Sequence, residues 1–218
     1  MNWGGVAVDP QGVVYVNTSR TVHAVKLIPR AEFEPAKARE PDVEISPQAG
    51  APFGMRRAFL ASPFGTPCNP PPWGAISAID LRTQRILWEV PLGTTEDLAP
   101  LGIALKTGTP NFGGPVATAG GLVFIGAAMD SYLRAFDQQT GKELWAGRRP
   151  AAGMATPMTY VWKGRPYVVG PNHRSTPRAL HRGSLGRRGR RGDAGGLARA
   201  AAAPQERLSW SFSLPRWA

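Results

Sequence analysis

The chain of 218 residues has a single cysteine, Cys68, and only three histidines. One thiol excludes an internal disulfide and any metal site built from cysteines. Its proline-dense surroundings read as a loop carrying a lone thiol. No run of about 18 or more apolar residues occurs, the minimum for a membrane-spanning helix. A basic start followed by an apolar stretch and a small-residue cleavage site is missing too. No catalytic triad, phosphate-cradling loop or cluster of metal-ligating residues stands out. Acidic residues are scarce, 15 against 26 Lys and Arg, which leaves a net charge of +11.

That charge is unevenly placed. Residues 1–170 hold 16 basic and 13 acidic residues, whereas residues 171–218 hold ten arginines, no lysine, one Asp and one Glu. The last 48 residues are rich in Arg, Gly and Ala and carry neither strand alternation nor a helical period. Three readings stay open for this tail. It is a GC-rich gene read out of frame, a disordered segment with a role of its own, or a nucleic-acid-binding arm acting by phosphate neutralisation.

What the chain does have is repetition. AIDLRTQRILW (78–88) and AFDQQTGKELW (135–145) align without a gap, share Ala, Asp, Thr, Leu and Trp, and start 57 residues apart. A fixed internal period marks stacked or radial repeats. Each copy reads as a hairpin. Ile76, Ala78 and Ile79, or Leu133, Ala135 and Phe136, close one strand, and the Trp lies in the next. Asp80 and Asp137 accept from backbone N–H groups two residues on, fixing an Asx turn. Gly141 supplies the positive φ that the turn wants, and Gln84 takes it at a cost.

The rest is strand-rich. Gly4 to Asn17 is a hairpin around Asp-Pro-Gln-Gly, Thr21 to Leu27 a strand, Thr109 to Gly126 two strands, and Pro157 to Val169 a hairpin turning at Lys163-Gly164. Pro29 to Arg57 shows no period and reads as a long loop or insertion, and Pro63 to Gly74 as a rigid proline-dense connection. With 26 Gly and 22 Pro, the composition suits short strands joined by turns. About ten to twelve strands and almost no helix are expected before residue 170.

Five ordered motifs then point to a family: NWGG (2–5), KLIPR (26–30), SPFGTPCNPPPWG (62–74), PNFGGPVATAGGLVFIGAAMDSYLRAFD (110–137) and ATPMTY (155–160). Over Met1 to about Val169 the chain resembles the C-terminal part of the membrane-bound pyrroloquinoline quinone (PQQ) dehydrogenases of the glucose and quinate type. The resemblance implies an all-β fold, about three blades of an eight-bladed propeller of four-stranded sheets. The domain division it suggests is 1–170 as partial propeller and 171–218 as tail. Trp88 and Trp145 become inter-blade docking residues. In the family, transmembrane helices and earlier blades precede NWGG, so the chain is expected to be a fragment, doubtfully active alone.

The implied chemistry is oxidation of a sugar or polyol hydroxyl, with electrons passing to PQQ and on to membrane ubiquinone at the periplasmic face of the inner membrane. Asn2 matches the amide that hydrogen-bonds the quinone oxygens, where N–H donors stabilise developing negative charge. Trp3 beside it lines the cofactor pocket or serves as a blade-core residue. Asp130 is the catalytic candidate, matching an aspartate near the active-site funnel; its alternative is a structural cap. Arg134 is expected to pair with a neighbouring carboxylate. The ligands of the Ca²⁺ or Mg²⁺, the catalytic base and the cofactor lysine correspond to positions before Met1, so no metal ligand is assigned here. After Val169 the chain departs from the family pattern, and His173 inherits no role. His23 lies on a strand, as a surface or core residue. The alternatives are a non-enzymatic propeller scaffold, against which the Asn2 and Cys68 segments argue, and a nucleic-acid binder resting wholly on the tail.

Overall fold

The computed structural model describes residues 3–170 except Asp42 and Phe64. Asn2, His173 and the tail from 171 to 218, with the three readings given for it, lie outside the described residues.

The first blade opens with β1 (Ala7–Val8) and β2 (Val13–Ser19). Asp9 closes the turn between them, its Oδ1 accepting from the N–H groups of Gln11 and Val13 at 3.0 and 2.9 Å. The chain then leaves the blade for β3 (His23–Pro29), α1 (Phe33–Arg39), β4 (Glu44–Pro47) and β5 (Phe53–Phe59). It returns as β6 (Gly74–Asp80) and β7 (Arg85–Pro91), completing a four-stranded antiparallel sheet in the order β1-β2-β6-β7. The second blade repeats the plan with β8 (Val116–Ala117), β9 (Leu122–Ile125), β10 (Tyr132–Asp137) and β11 (Glu143–Arg148) in one continuous meander. A hairpin of β12 (Met158–Trp162) and β13 (Arg165–Val169) follows. It turns at Lys163 and Gly164, both at positive φ, 49° and 72°, as the twist of a two-residue hairpin requires. The described residues thus hold two full blades and the hairpin of a further one, all antiparallel.

Of the two readings for Pro29 to Arg57, a long loop or an insertion, the excursion between β2 and β6 is an insertion with structure of its own. It is a three-stranded sheet, β3-β5-β4, with α1 against one face. Ile28, Phe33 and Ile45 form its small core. Gly54 lies so close beneath Phe33 that a Cβ there would fall 2.5 Å from the ring. Ion pairs hide the strand pattern from a hydropathy reading: Arg57 reaches Glu44 directly across the β4–β5 ladder at 2.6 Å, and Arg56 reaches Glu40 at 2.6 Å. Opposite charges facing each other across strands stabilise a sheet while removing apolar alternation. His23 is exposed on β3, edge-on to Phe59, and Cys68 is an exposed free thiol.

The main core forms where the blades meet. Tyr15, Ile76, Ala78, Trp88 and Leu92 of the first pack with Val123, Ile125, Ala127, Ala128 and Phe136 of the second. Trp88 is the pin. It is 9% exposed, and its Nε1 donates to the Gln138 carbonyl at 2.8 Å, on the turn that begins the second repeat's hairpin. Gly141, at φ 69°, lies beneath the indole, where a Cβ would fall 2.5 Å from Cε3. The repeat's glycine therefore serves the neighbouring blade's tryptophan as well as its own turn. The Asx turns form as expected, Arg82 N–H donating to Asp80 at 2.8 Å and Gln139 N–H to Asp137 at 3.1 Å. Gln84 adopts the left-handed conformation, φ 57°. No helix among the described residues is long and apolar enough to cross a membrane.

Candidate functional site

Three motifs distant in sequence meet at one place. The segment after Asn2, the 110–114 loop and the 153–157 loop converge at the end of β9. Backbone contact accounts for their glycines. A Cβ on Gly4 would fall 2.1 Å from the Gly114 nitrogen, and one on Gly114 would fall 2.0 Å from the Gly4 carbonyl oxygen. Any side chain at either position would push the two strands of chain apart. Thr156 locks the third segment in place, its hydroxyl donating to the Gly4 carbonyl at 2.9 Å.

Polar groups buried between the blades hold the 110–114 loop. Asn17 Nδ2 donates to Asn111 Oδ1 at 2.6 Å and to the Gly113 carbonyl at 2.8 Å. Asn111 in turn donates to the Thr18 carbonyl at 2.9 Å. Phe112 N–H donates to the Ala127 carbonyl at 3.3 Å. Side-chain amides are suited to this work, because a loop between sheets has backbone groups that no ladder satisfies.

On this support stands Trp3. Its ring stacks on Phe112, with centroids 5.6 Å apart and planes 20° from parallel, and Nε1 donates to the Met154 carbonyl at 3.1 Å. It remains 69% exposed. Of the two placements open for Trp3, the blade-core one is therefore not what this structure shows: the indole is fixed at its edge while much of its surface stays accessible. A flat aromatic surface backed by a second ring suits a planar conjugated ligand.

Asp130 is 0% exposed. Oδ1 accepts from Arg134 Nη1 at 2.9 Å; Oδ2 accepts from Arg134 Nη2, from the Thr94 N–H at 2.6 Å and from the Thr94 hydroxyl at 3.0 Å. Burial pushes this carboxyl up, but the hydrogen bonds and charge of Arg134, together with Thr94, outweigh it and hold the group below the usual carboxylate range. Arg134 pairs as expected, with Asp130 and, at 3.3 Å, with Glu143. The Asp130 carboxylate thus links the 94 loop, after the first blade, to the strand that starts at Tyr132. No group of three His, Cys, Asp or Glu among the described residues could hold a metal ion, so no step is assigned to a divalent cation.

Phe112, Met154, Thr156 and Thr94 were not singled out by the residue-level reading, although the first three lie in or beside quoted motifs. Their roles depend on contacts between segments from 36 residues apart, as in Thr94 to Asp130, to 152 apart, as in Thr156 to Gly4, which spacing does not reveal.

Comparison with known proteins agrees over the same region. The family model described as "PQQ: Glucose/ethanol/alcohol dehydrogenase, beta-propeller domain" matches residues 1–168. The chain is 43% identical over 178 residues to the quinoprotein glucose dehydrogenase of Escherichia coli (strain K12), covering 77% of this chain and 22% of that protein. It is also 43% identical over 182 residues to a probable quinate dehydrogenase (quinone) of Xanthomonas campestris pv. juglandis, covering 78% and 23%. Among solved structures, a europium-containing methanol dehydrogenase superposes with a TM-score of 0.49 at 27% identity, covering 76% of this chain and 24% of that one. The chain therefore spans less than a quarter of the length of these curated relatives.

Proposed function

The chain belongs to the PQQ glucose/ethanol/alcohol dehydrogenase β-propeller family, and from that premise we propose that it forms one wall of the cofactor site in a dehydrogenase acting on a sugar or polyol hydroxyl. The observation that carries this reading is the exposed Trp3 ring stacked on Phe112 and tied to Met154, where three family motifs converge. When bound, PQQ accepts the two electrons and two protons that the alcohol loses in becoming a carbonyl.

The residues here do the binding and orienting. Trp3 covers one face or edge of the planar cofactor, and Asn2 next to it donates to the quinone oxygens. Asp130 acts from behind, as a positioning residue. By holding Thr94 and Arg134 it ties the loop after the first blade to the second blade. Ubiquinone as electron acceptor, the periplasmic face of the inner membrane as location, and Ca²⁺ or Mg²⁺ with ligands outside the described residues complete the proposal. Residues 1–170 are the propeller portion, and 171–218 a separate tail.

The test is titration of PQQ, with Mg²⁺ present, into the purified full chain, followed by tryptophan fluorescence and calorimetry. Saturable binding that Trp3→Ala and Phe112→Ala each weaken about tenfold is expected, given the usual worth of a stacked aromatic contact. Absence of binding by the unmodified chain, or binding indifferent to both substitutions, would overturn the proposal.

A further inference from the structure

Three arginines surround the 130 loop, and two of them are paired with acids. Arg134 holds Asp130 and Glu143. Arg148 holds Asp97 at 2.5 Å and Glu96 at 3.3 Å, with its guanidinium over the Tyr132 ring. Arg149, the next residue, has neither arrangement.

Its backbone N–H donates to the Ser131 carbonyl at 2.8 Å, which fixes the start of the side chain. Nη2 donates to the Gly126 carbonyl at 2.6 Å. Nε is buried with no acceptor, and no carboxylate of the described residues pairs with the group. Asp130, whose charge attracts it, has both oxygens occupied. Burial weakens the guanidinium's hold on its proton, Asp130 partly restores it and Arg134 opposes it again, yet an arginine stays charged at neutral pH. Buried charges in folded proteins are paired; this one is half-buried and has no counter-ion among the described residues.

The guanidinium is packed against main chain, and glycines stand where a side chain would collide with it. A Cβ on Gly153 would fall 2.4 Å from both Nη atoms, and one on Gly126 would fall 2.7 Å from Nη2. Gly153 also precedes Met154, the residue that anchors Trp3. The cation and the exposed indole are thus set on consecutive residues of one loop.

We propose that Arg149 is a carboxylate-binding residue of this site, its unpaired guanidinium taking an anionic group of the cofactor or of a hydroxy-acid substrate. The inference rests on the cofactor-wall reading above. PQQ is a flat tricarboxylate and quinate a polyol carrying one carboxylate, so both offer the chemistry; glucose offers none.

Calorimetry on the full chain separates the sources, with PQQ, then quinate and glucose on the PQQ-loaded chain, as probes. Arg149→Leu is compared with Arg149→Lys, which keeps the charge, and with Arg85→Leu, which removes a remote exposed one. A cofactor carboxylate predicts that R149L weakens PQQ about tenfold while R149K retains most of the affinity. A substrate carboxylate predicts unchanged PQQ binding, about tenfold weaker quinate and unchanged glucose. An arginine with a structural role alone would weaken quinate and glucose alike, or lower the melting temperature without changing any affinity, and either result overturns the inference. Wild-type chain that binds both PQQ and quinate no more tightly than a folded R149L variant sinks this inference alone; wild-type chain that binds no PQQ sinks the cofactor-wall reading with it.

Discussion

The two copies of the A-x-D…L-W segment have nearly the same sequence and different fates. Trp88 is sealed against the next blade, hydrogen-bonded to Gln138 and seated over Gly141. Trp145, at the same offset, is 36% exposed, and Leu144 beside it is more open still. The turns differ in the opposite sense. The first copy bends through Gln84 at φ 57°, the second through Gly141 at φ 69°. Position 77 in the first blade is a serine that donates to Glu89 at 3.0 Å, while position 134 in the second is the buried arginine of the Asp130 clamp. A repeat thus specifies a blade, and what lies beside the blade determines what each residue of the repeat contributes.

The largest effect should separate the tryptophans. Trp88→Ala in the full chain is expected to cost about 4–5 kcal/mol, the upper end for truncating a large buried aromatic, and Trp145→Ala about 1 kcal/mol or less. Urea unfolding of both variants measures this, and equal costs would break the comparison.

Next comes the clamp that the first blade lacks. Asp130→Asn leaves Arg134 buried with one compensating charge fewer and should cost about 3 kcal/mol. Glu89→Gln, in the partly exposed pair with Arg20, should cost about 0–1 kcal/mol. The pH dependence follows from the direction of the Asp130 shift. Its folded pKa is depressed, so its stabilisation is fully present above the unfolded carboxylate value of about 3.9 and is lost as pH falls through the folded value. Acid titration of stability in D130N should show a shallower loss below about pH 4 than in the wild type; superimposable curves would contradict the clamp.

Exchanging the turn residues gives the smaller effects. Gly141→Gln should cost about 2 kcal/mol, because its Cβ must displace Trp88. Gln84→Gly removes left-handed strain and should stabilise by about 0.5 kcal/mol. Thermal melts of both variants check the sign, which is opposite although each merely copies the other repeat.

The strands were legible where alternation and turn chemistry agreed, as at Asp9, Asp80, Asp137 and the Lys163-Gly164 turn. They were not legible across β4 and β5, where Arg56 and Arg57 satisfy Glu40 and Glu44 and the apolar signal is carried by Ile28, Phe33 and Ile45 from three separate elements. The site was legible as motifs. The geometry of Trp3 on Phe112, and the lack of an acid paired with Arg149 among the described residues, depend on how those motifs meet.

By itself the sequence determined the repeat, the turns, the antiparallel hairpins and the family, since each rests on residues within a few positions of one another or on an ordered string of motifs. Only the tertiary structure decided which tryptophan is a pin, that Asp130 is enclosed, and that one of three neighbouring arginines has no counter-charge among the described residues. Burial and pairing are properties of what two distant segments bring into contact, and the local chain does not encode the neighbour it will meet.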